Sequence, residues 1–144
     1  MNHERLSMNE VIRARGHENV TAQHASTFEV TSDDWLTPAG DCILAVAADR
    51  TPADFDPSFV EACQHAEATI ETRFEVGDHR QTVTGRGHPA LTFESDRSLV
   101  GRTSEYVDDR TVLVGTAFAA EGFDRDLVAA LGAGEVVTVA ITVE

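Results

Sequence analysis

The chain contains no lysine. All 11 of its basic residues are arginine, set against 25 aspartates and glutamates, for a formal net charge of -14 over 144 residues. It has two cysteines, one tryptophan and one tyrosine. Each scarcity excludes something. Cys42 and Cys63 form no CxxC pair, which leaves a metal or redox role for sulfur without support; buried free thiols are the expectation. No apolar run approaches the ~18 residues that a membrane-spanning helix needs; the longest is Cys42 to Ala48. Met1 to Glu10 is polar and lacks the apolar stretch of a secretory leader, so a cytoplasmic location away from membranes is expected. There is no P-loop, no GxGxxG behind a strand, and no recognisable Ser-His-Asp or Cys-His order. No named reaction follows, and whether the protein is an enzyme stays open.

What is present begins with the acids. They are spread along the chain and form no block of five or more. An evenly acidic, lysine-free surface fits life in a cytosol of very high salt, where carboxylates hold water and cations. The competing reading is a surface that repels nucleic acid or attracts a cationic partner. At ~1 M salt the Debye length is only about 3 Å, so the net charge does not exclude an anionic ligand. Hydrophobic content of 42% is enough for a core. The length suits one compact domain over residues 1–144, since two separate cores would each be marginal.

The sequence resembles itself. Arg15-Gly16-His17 recurs as Arg86-Gly87-His88, an offset of 71 residues (86 − 15). Thr27-Phe28-Glu29 recurs as Thr92-Phe93-Glu94. Asp41 to Val46 matches Asp109 to Val114 at an offset of 68 (109 − 41), and the same offset pairs Phe55-Asp56 with Phe123-Asp124. The order is kept and the offset changes at loops, which points to tandem pseudo-repeats over residues 10–76 and 80–144.

Each half parses alike. Val11 to His17 and Gln81 to His88 alternate as strands do. His24 to Thr31 and Ala90 to Glu94 read as second, shorter strands. Cys42 to Ala48 and Thr111 to Ala117 are nearly continuous apolar runs, expected to be covered on both faces. A short helix follows in each half. Asp56 caps the first, with Pro57 at its first position and Phe55 stapling onto Val60; Asp124 caps the second, with Phe123 stapling onto Val128 and Gly132 ending it. Ile70, Thr72, Phe74 and Val76, then Val137, Val139, Ile141 and Val143, mark a final alternating strand. The fold expected is mainly β, bordering on α+β: an antiparallel β-sandwich or barrel built from the two pseudo-repeats, with two short helices.

In an extended strand, Arg13, Arg15, His17 and Asn19 share one face, as do Thr82, Thr84, Arg86 and His88. The glycine between each arginine and histidine lets a backbone or ligand approach closely. If a pseudo-twofold axis brings the pairs together, Arg15, His17, Arg86 and His88 form a cationic cradle. Arginine forks bind phosphate or carboxylate bidentately and histidine adds a titratable donor. The alternative is a solvated face whose arginines pair with carboxylates. His17 and His24, folded together by a turn and joined by Asp41 or Asp49, would make a nitrogen and oxygen site for a divalent metal; Asn19 suits that turn in any case. No other cofactor is expected. His3, His65 and His79 read as surface residues. Ser98 to Arg110 reads as a connection holding Arg102, Tyr106 and Arg110, with the arginines pairing with Asp108 or Asp109 if it is only a connector.

These residues resemble an archaeal family catalogued as domain of unknown function family 371. The resemblance is carried by Arg15-Gly16-His17-Glu18-Asn19, His24, Leu36-Thr37-Pro38-Ala39-Gly40-Asp41-Cys42-Ile43 and Ala48-Asp49. Gly85-Arg86-Gly87-His88-Pro89-Ala90-Leu91-Thr92 and the run from Arg102 to Thr111 fit it as well. The likeness spans nearly the whole chain from about Ile12, and the absence of lysine marks a haloarchaeal member. It implies a mainly β protein without an assigned activity, in which His17, Asn19, His24, Asp41, Asp49, Arg102, Tyr106 and Arg110 are family-typical positions.

Three readings follow. The first is a binding module for a phosphate-bearing small molecule or an RNA backbone, using Arg15, His17, Asn19, His24, Arg86, His88, Arg102, Tyr106 and Arg110. The second is a hydrolase-like enzyme using His17 and His24 with Asp41 or Asp49. The third is a homo-oligomeric structural protein.

Overall fold

Alternation sets the longest strands. In β1 (Met8–Arg15), Glu10, Ile12 and Ala14 turn inward while Arg13 and Arg15 face out. In β4 (Thr69–Val76), Ile70, Thr72, Phe74 and Val76 are buried, and in β8 (Val136–Val143) Val137, Val139, Ile141 and Val143 are. The structure, a computed structural model, describes residues 8–144; His3 lies outside the described residues. The other elements are β2 (Thr27–Thr31), β3 (Ile43–Ala45), α1 (Pro57–Cys63), β5 (His79–Arg86), β6 (Ser98–Arg102), β7 (Thr111–Leu113) and α2 (Arg125–Gly132). Short 3-10 turns at Pro52–Asp54 and Ala120–Gly122 precede the helices. The order strand, strand, strand, 3-10 turn, helix, strand thus occurs twice.

The strands form two four-stranded sheets, ordered β1-β8-β4-β5 and β3-β2-β6-β7. The first is antiparallel throughout and interleaves the halves, since β8 lies between β1 and β4. In the second, β2 and β6 run antiparallel at the centre, and each carries a parallel partner, β3 or β7, at the edge. Those two parallel pairs qualify the expectation of an antiparallel fold. Single bridges, Arg15 with Val46 and Arg86 with Val114, tie the sheets at their edges. The result is a mainly β sandwich, not a closed barrel.

Between the sheets, Phe28, Phe74 and Phe123 meet edge to face at 5.1 to 5.8 Å. Such pairs add roughly 0.5–1.5 kcal/mol each beyond their buried area. Gly101, opposite Phe28 in the β2–β6 register, must lack a side chain, because a Cβ there would overlap the Phe28 ring. The caps form as expected: the Asp56 carboxylate accepts from the Ser58 N–H, and Asp124 accepts from the N–H groups of Asp126 and Leu127. Phe55 lies 5.6 Å from the Phe59 ring, and Phe123 joins the central cluster.

One segment differs from its expected role. Ala90 to Glu94 is an irregular loop, and the second strand of the second half is Ser98–Arg102, expected as part of a connection. The Thr-Phe-Glu triplet had suggested the wrong alignment. Phe28 has Leu99 at its structural counterpart, the second position of β6, whereas Phe93 sits in a loop at φ 54°.

Candidate functional site

The repeated Arg-Gly-His motif ends β1 and β5, the two outer strands of the first sheet. These strands run in opposite directions. Arg15 stands opposite Val136 at one end of β8, whereas Arg86 stands opposite Thr69, beside the other end. The length of β8 alone, Val136 to Val143, separates them by about 23 Å at ~3.3 Å per residue. Arg15, His17, Arg86 and His88 therefore do not converge, and the expected cradle does not form.

The motif instead interlocks the halves. A Cβ on Gly16 would overlap the carbonyl of Leu131, near the end of α2, and one on Gly87 would overlap the carbonyl of Cys63, at the end of α1. Gly16 N donates to Glu135 O at 2.8 Å and Gly87 N to Ala68 O at 3.0 Å. Each histidine closes a turn: Nδ1 of His17 accepts from the Asn19 N–H and Nδ1 of His88 from the Ala90 N–H, both at 3.0 Å. A ring nitrogen that accepts carries no proton there, so Nδ1 is the accepting nitrogen in both turns. Arg86 pairs with Glu105 at 3.1 Å. The solvated, carboxylate-paired face is the reading that fits it.

His17, His24, Asp41 and Asp49 are not assembled either. His24 Nδ1 accepts from the N–H groups of Ser26 and Thr27. Asp41 lies near by through its backbone, accepting from His24 N at 3.2 Å. Asp49 caps the backbone N–H of Arg13. Among the described residues, no group of three or more His, Cys, Asp or Glu is placed to hold a metal ion.

The polar residues that do converge lie over the outer face of the β2–β6 pair. Arg102 is buried; its Nε donates to Thr111 Oγ1 at 2.8 Å and its Nη2 to Asp108 Oδ2 at 2.9 Å. Its guanidinium lies 4.9 Å from the centre of the Tyr106 ring. Arg110 reaches the same Asp108 oxygen at 3.2 Å. Partial burial pushes the Asp108 carboxyl up. The bonds from Thr111 and Arg110 and the Arg102 charge outweigh it and hold the pKa at about 2. Asp108 is thus the organiser of this loop, pairing with both arginines.

Beside this network lies a cavity of about 250 Å³. Its lining includes Glu29 and Thr31 from β2, Trp35 and Leu36 from the following loop, and Arg97 and Arg110. Arg97 is committed to Asp33 by three hydrogen bonds of 2.8 to 3.2 Å. Arg110 is freer: its Nη1 lies 4.0 Å from Glu29 Oε1. The Glu29 side chain is 12% exposed, and its Oε1 accepts from the Cys42 thiol at 3.5 Å. Burial first, and the Glu29 charge second, push that thiol up to about 11, so Cys42 is not a nucleophile at neutral pH. Burial likewise raises Cys63, to about 12. Asn19 holds the cavity wall from behind, with Nδ2 donating to Leu36 O at 2.7 Å.

Of the expected residues, Arg110 lines the cavity, Arg102 and Tyr106 belong to the adjoining network, and Asn19 positions the wall. Arg15, His17, His24, Arg86 and His88 are not among its lining residues. Glu29, Asp33, Trp35 and Arg97 were missed. One signal was available. Trp35 and Tyr106, the chain's only tryptophan and tyrosine, stand at the same offset as the two Arg-Gly-His motifs, and both are exposed, 57% and 62%.

Fold and site together define a two-sheet, mainly β protein with a small cavity on one sheet face, its lining mostly apolar but carrying charged residues of both signs. The chain belongs to the family described as Domain of unknown function (DUF371), which it matches over residues 12–144. It is 35% identical over 125 residues to an uncharacterised protein of Methanocaldococcus jannaschii, covering 87% of this chain and 92% of that archaeal relative.

Proposed function

We propose that the protein is a binding module for a small phosphate-bearing ligand, seated in the cavity on the outer face of the β2–β6 pair. The observation that carries this reading is Arg110. It reaches a concave site with its Nη2 anchored by Asp108 and its Nη1 no nearer than 4.0 Å to the Glu29 carboxylate. An oriented guanidinium with donors to spare is what anion recognition uses. Concavity favours a small molecule over an RNA backbone, which calls for a basic stripe along a face. Arg73, Arg80, Arg86 and Arg97 instead pair with carboxylates. The even acidity and missing lysine support a halophilic, cytoplasmic protein with an acidic surface, and the two matching halves support an approximate internal repeat.

Thermal unfolding in molar potassium chloride tests the site, with inorganic phosphate and glycerol 1-phosphate as probes. The parent should gain stability with probe, and Arg110→Ala should lose that gain while still unfolding cooperatively. An Arg110→Ala protein that responds as the parent does refutes the reading.

A further inference from the structure

The cavity carries opposite charges in close array, and an anion alone would leave one of them unanswered. Glu29 projects from β2 into the cavity. Its Oε2 accepts no hydrogen bond from any described residue, and Oε1 takes only the long contact from the Cys42 thiol and the distant Arg110. A bare phosphate on Arg110 would bring its charge against this carboxylate. A ligand that sets an N–H donor beside its anion would satisfy both groups at once.

The second half of the chain shows what fills the corresponding place. Thr31 ends β2, and Trp35 follows four residues later. Arg102 ends β6, and Tyr106 follows four residues later. The β2–β6 register is symmetric about Glu29 and Val100, with Thr27 opposite Arg102 and Thr31 opposite Ser98. So Arg102 and Tyr106 stand to β6 as Thr31 and Trp35 stand to β2. In the second half the chain supplies its own cation, the Arg102 guanidinium, held against the Tyr106 ring and a carboxylate. In the first half the short Thr31 leaves the volume open as the cavity, and no described cation stacks on Trp35. Trp35 is the better cation-binding ring of the two.

We infer that the ligand is an amino- or guanidino-bearing phosphate, with its phosphate on Arg110 and its cationic group between Glu29 and the Trp35 face. The inference rests on the anion-binding reading and adds to it the second charge. The cavity, at about 250 Å³, falls just below the range of roughly 300–1,000 Å³ that drug-sized ligands fill. A compact zwitterion of a few carbons suits it.

Trp35 is the chain's only tryptophan, so its fluorescence reports on the site directly. Three probes are titrated in potassium chloride: phosphoethanolamine, glycerol 1-phosphate and ethanolamine. Phosphoethanolamine should bind at least about tenfold more tightly than glycerol 1-phosphate, and ethanolamine should bind weakly. Glu29→Gln, which removes the carboxylate that the amino group would meet, should erase that preference. As a second variant, Trp35→Leu, followed by thermal shift, should lose most of the preference. Equal affinities for the two phosphates, or a preference that survives Glu29→Gln, overturn this inference and leave the anion site standing. No response to either phosphate overturns both.

Discussion

Thr72 offers a sharp test of how the core is held. It lies on the inward face of β4 and is fully buried, between Val83 and Ile141 on the neighbouring strands, both also fully buried. Its Oγ1 has no hydrogen-bond partner. At the same fourth position of β8 the chain places Val139, equally buried. Thr72→Val keeps the branched shape and removes the hydroxyl. A buried, unpartnered hydroxyl costs about 1–3 kcal/mol, and the methyl that replaces it recovers up to ~0.8 kcal/mol of transfer energy. Allowing for partial compensation in the unfolded chain, the variant should gain about 1.5 kcal/mol. For a chain of this length that raises Tm by about 5 °C. Denaturant and thermal unfolding in one molar-salt buffer measure it, with the denaturant slope unchanged as the condition for reading the midpoint as stability. Val139→Thr, which creates a further orphan between Ile12 and Phe74, should lose a similar amount. A Thr72→Val protein no more stable than the parent refutes the reasoning and places a partner, such as a buried water, on that hydroxyl.

Two further outcomes follow from the geometry. Gly16→Ala and Gly87→Ala should each cost at least about 3 kcal/mol, because the added methyl meets a helix-end carbonyl and not a yielding side chain; Gly132→Ala, with nothing within 4 Å of the new Cβ, should be neutral or gain up to ~0.8 kcal/mol. Equal losses at Gly16 and Gly132 in denaturant melts would contradict the interlock. Asp108 should make stability pH-dependent: its pKa falls from 3.8 unfolded to about 2 folded, so its contribution is complete above about pH 4 and is lost as pH falls through 2. After screening at a partly exposed site that contribution is about 1 kcal/mol, and the stability gap between parent and Asp108→Asn should close between pH 4 and 2; a gap that stays constant across that range would remove the carboxylate from the account.

The parts of the fold that could be read in the sequence are those decided by neighbours along the chain. Period-two burial marked β1, β4, β5 and β8, and Asp56 and Asp124 announced the helices, because alternation and capping are local physics. β6 escaped for the opposite reason. Ser98-Leu99-Val100-Gly101-Arg102 is buried along its whole length, so it shows no alternation, and it ends on an arginine whose burial is paid for by Asp108 and Thr111 farther along the chain. The Arg-Gly-His repeat was visible, but its meaning depended on β8 inserting between β1 and β4, a pairing of distant segments that no local pattern encodes. Glu29 shows how the site itself was hidden. As an outward residue of β2 it reads as one more solvated acid among 25. Only the loop that brings Trp35 and Leu36 across that face, latched by Asn19, turns the exposed carboxylate into the floor of a cavity. The same logic separates the arginines. Arg15 faces out from an outer strand whose edge is bridged to Val46 and lines no part of the cavity, whereas Arg110 reaches a concave site, and ligand recognition belongs with the second kind.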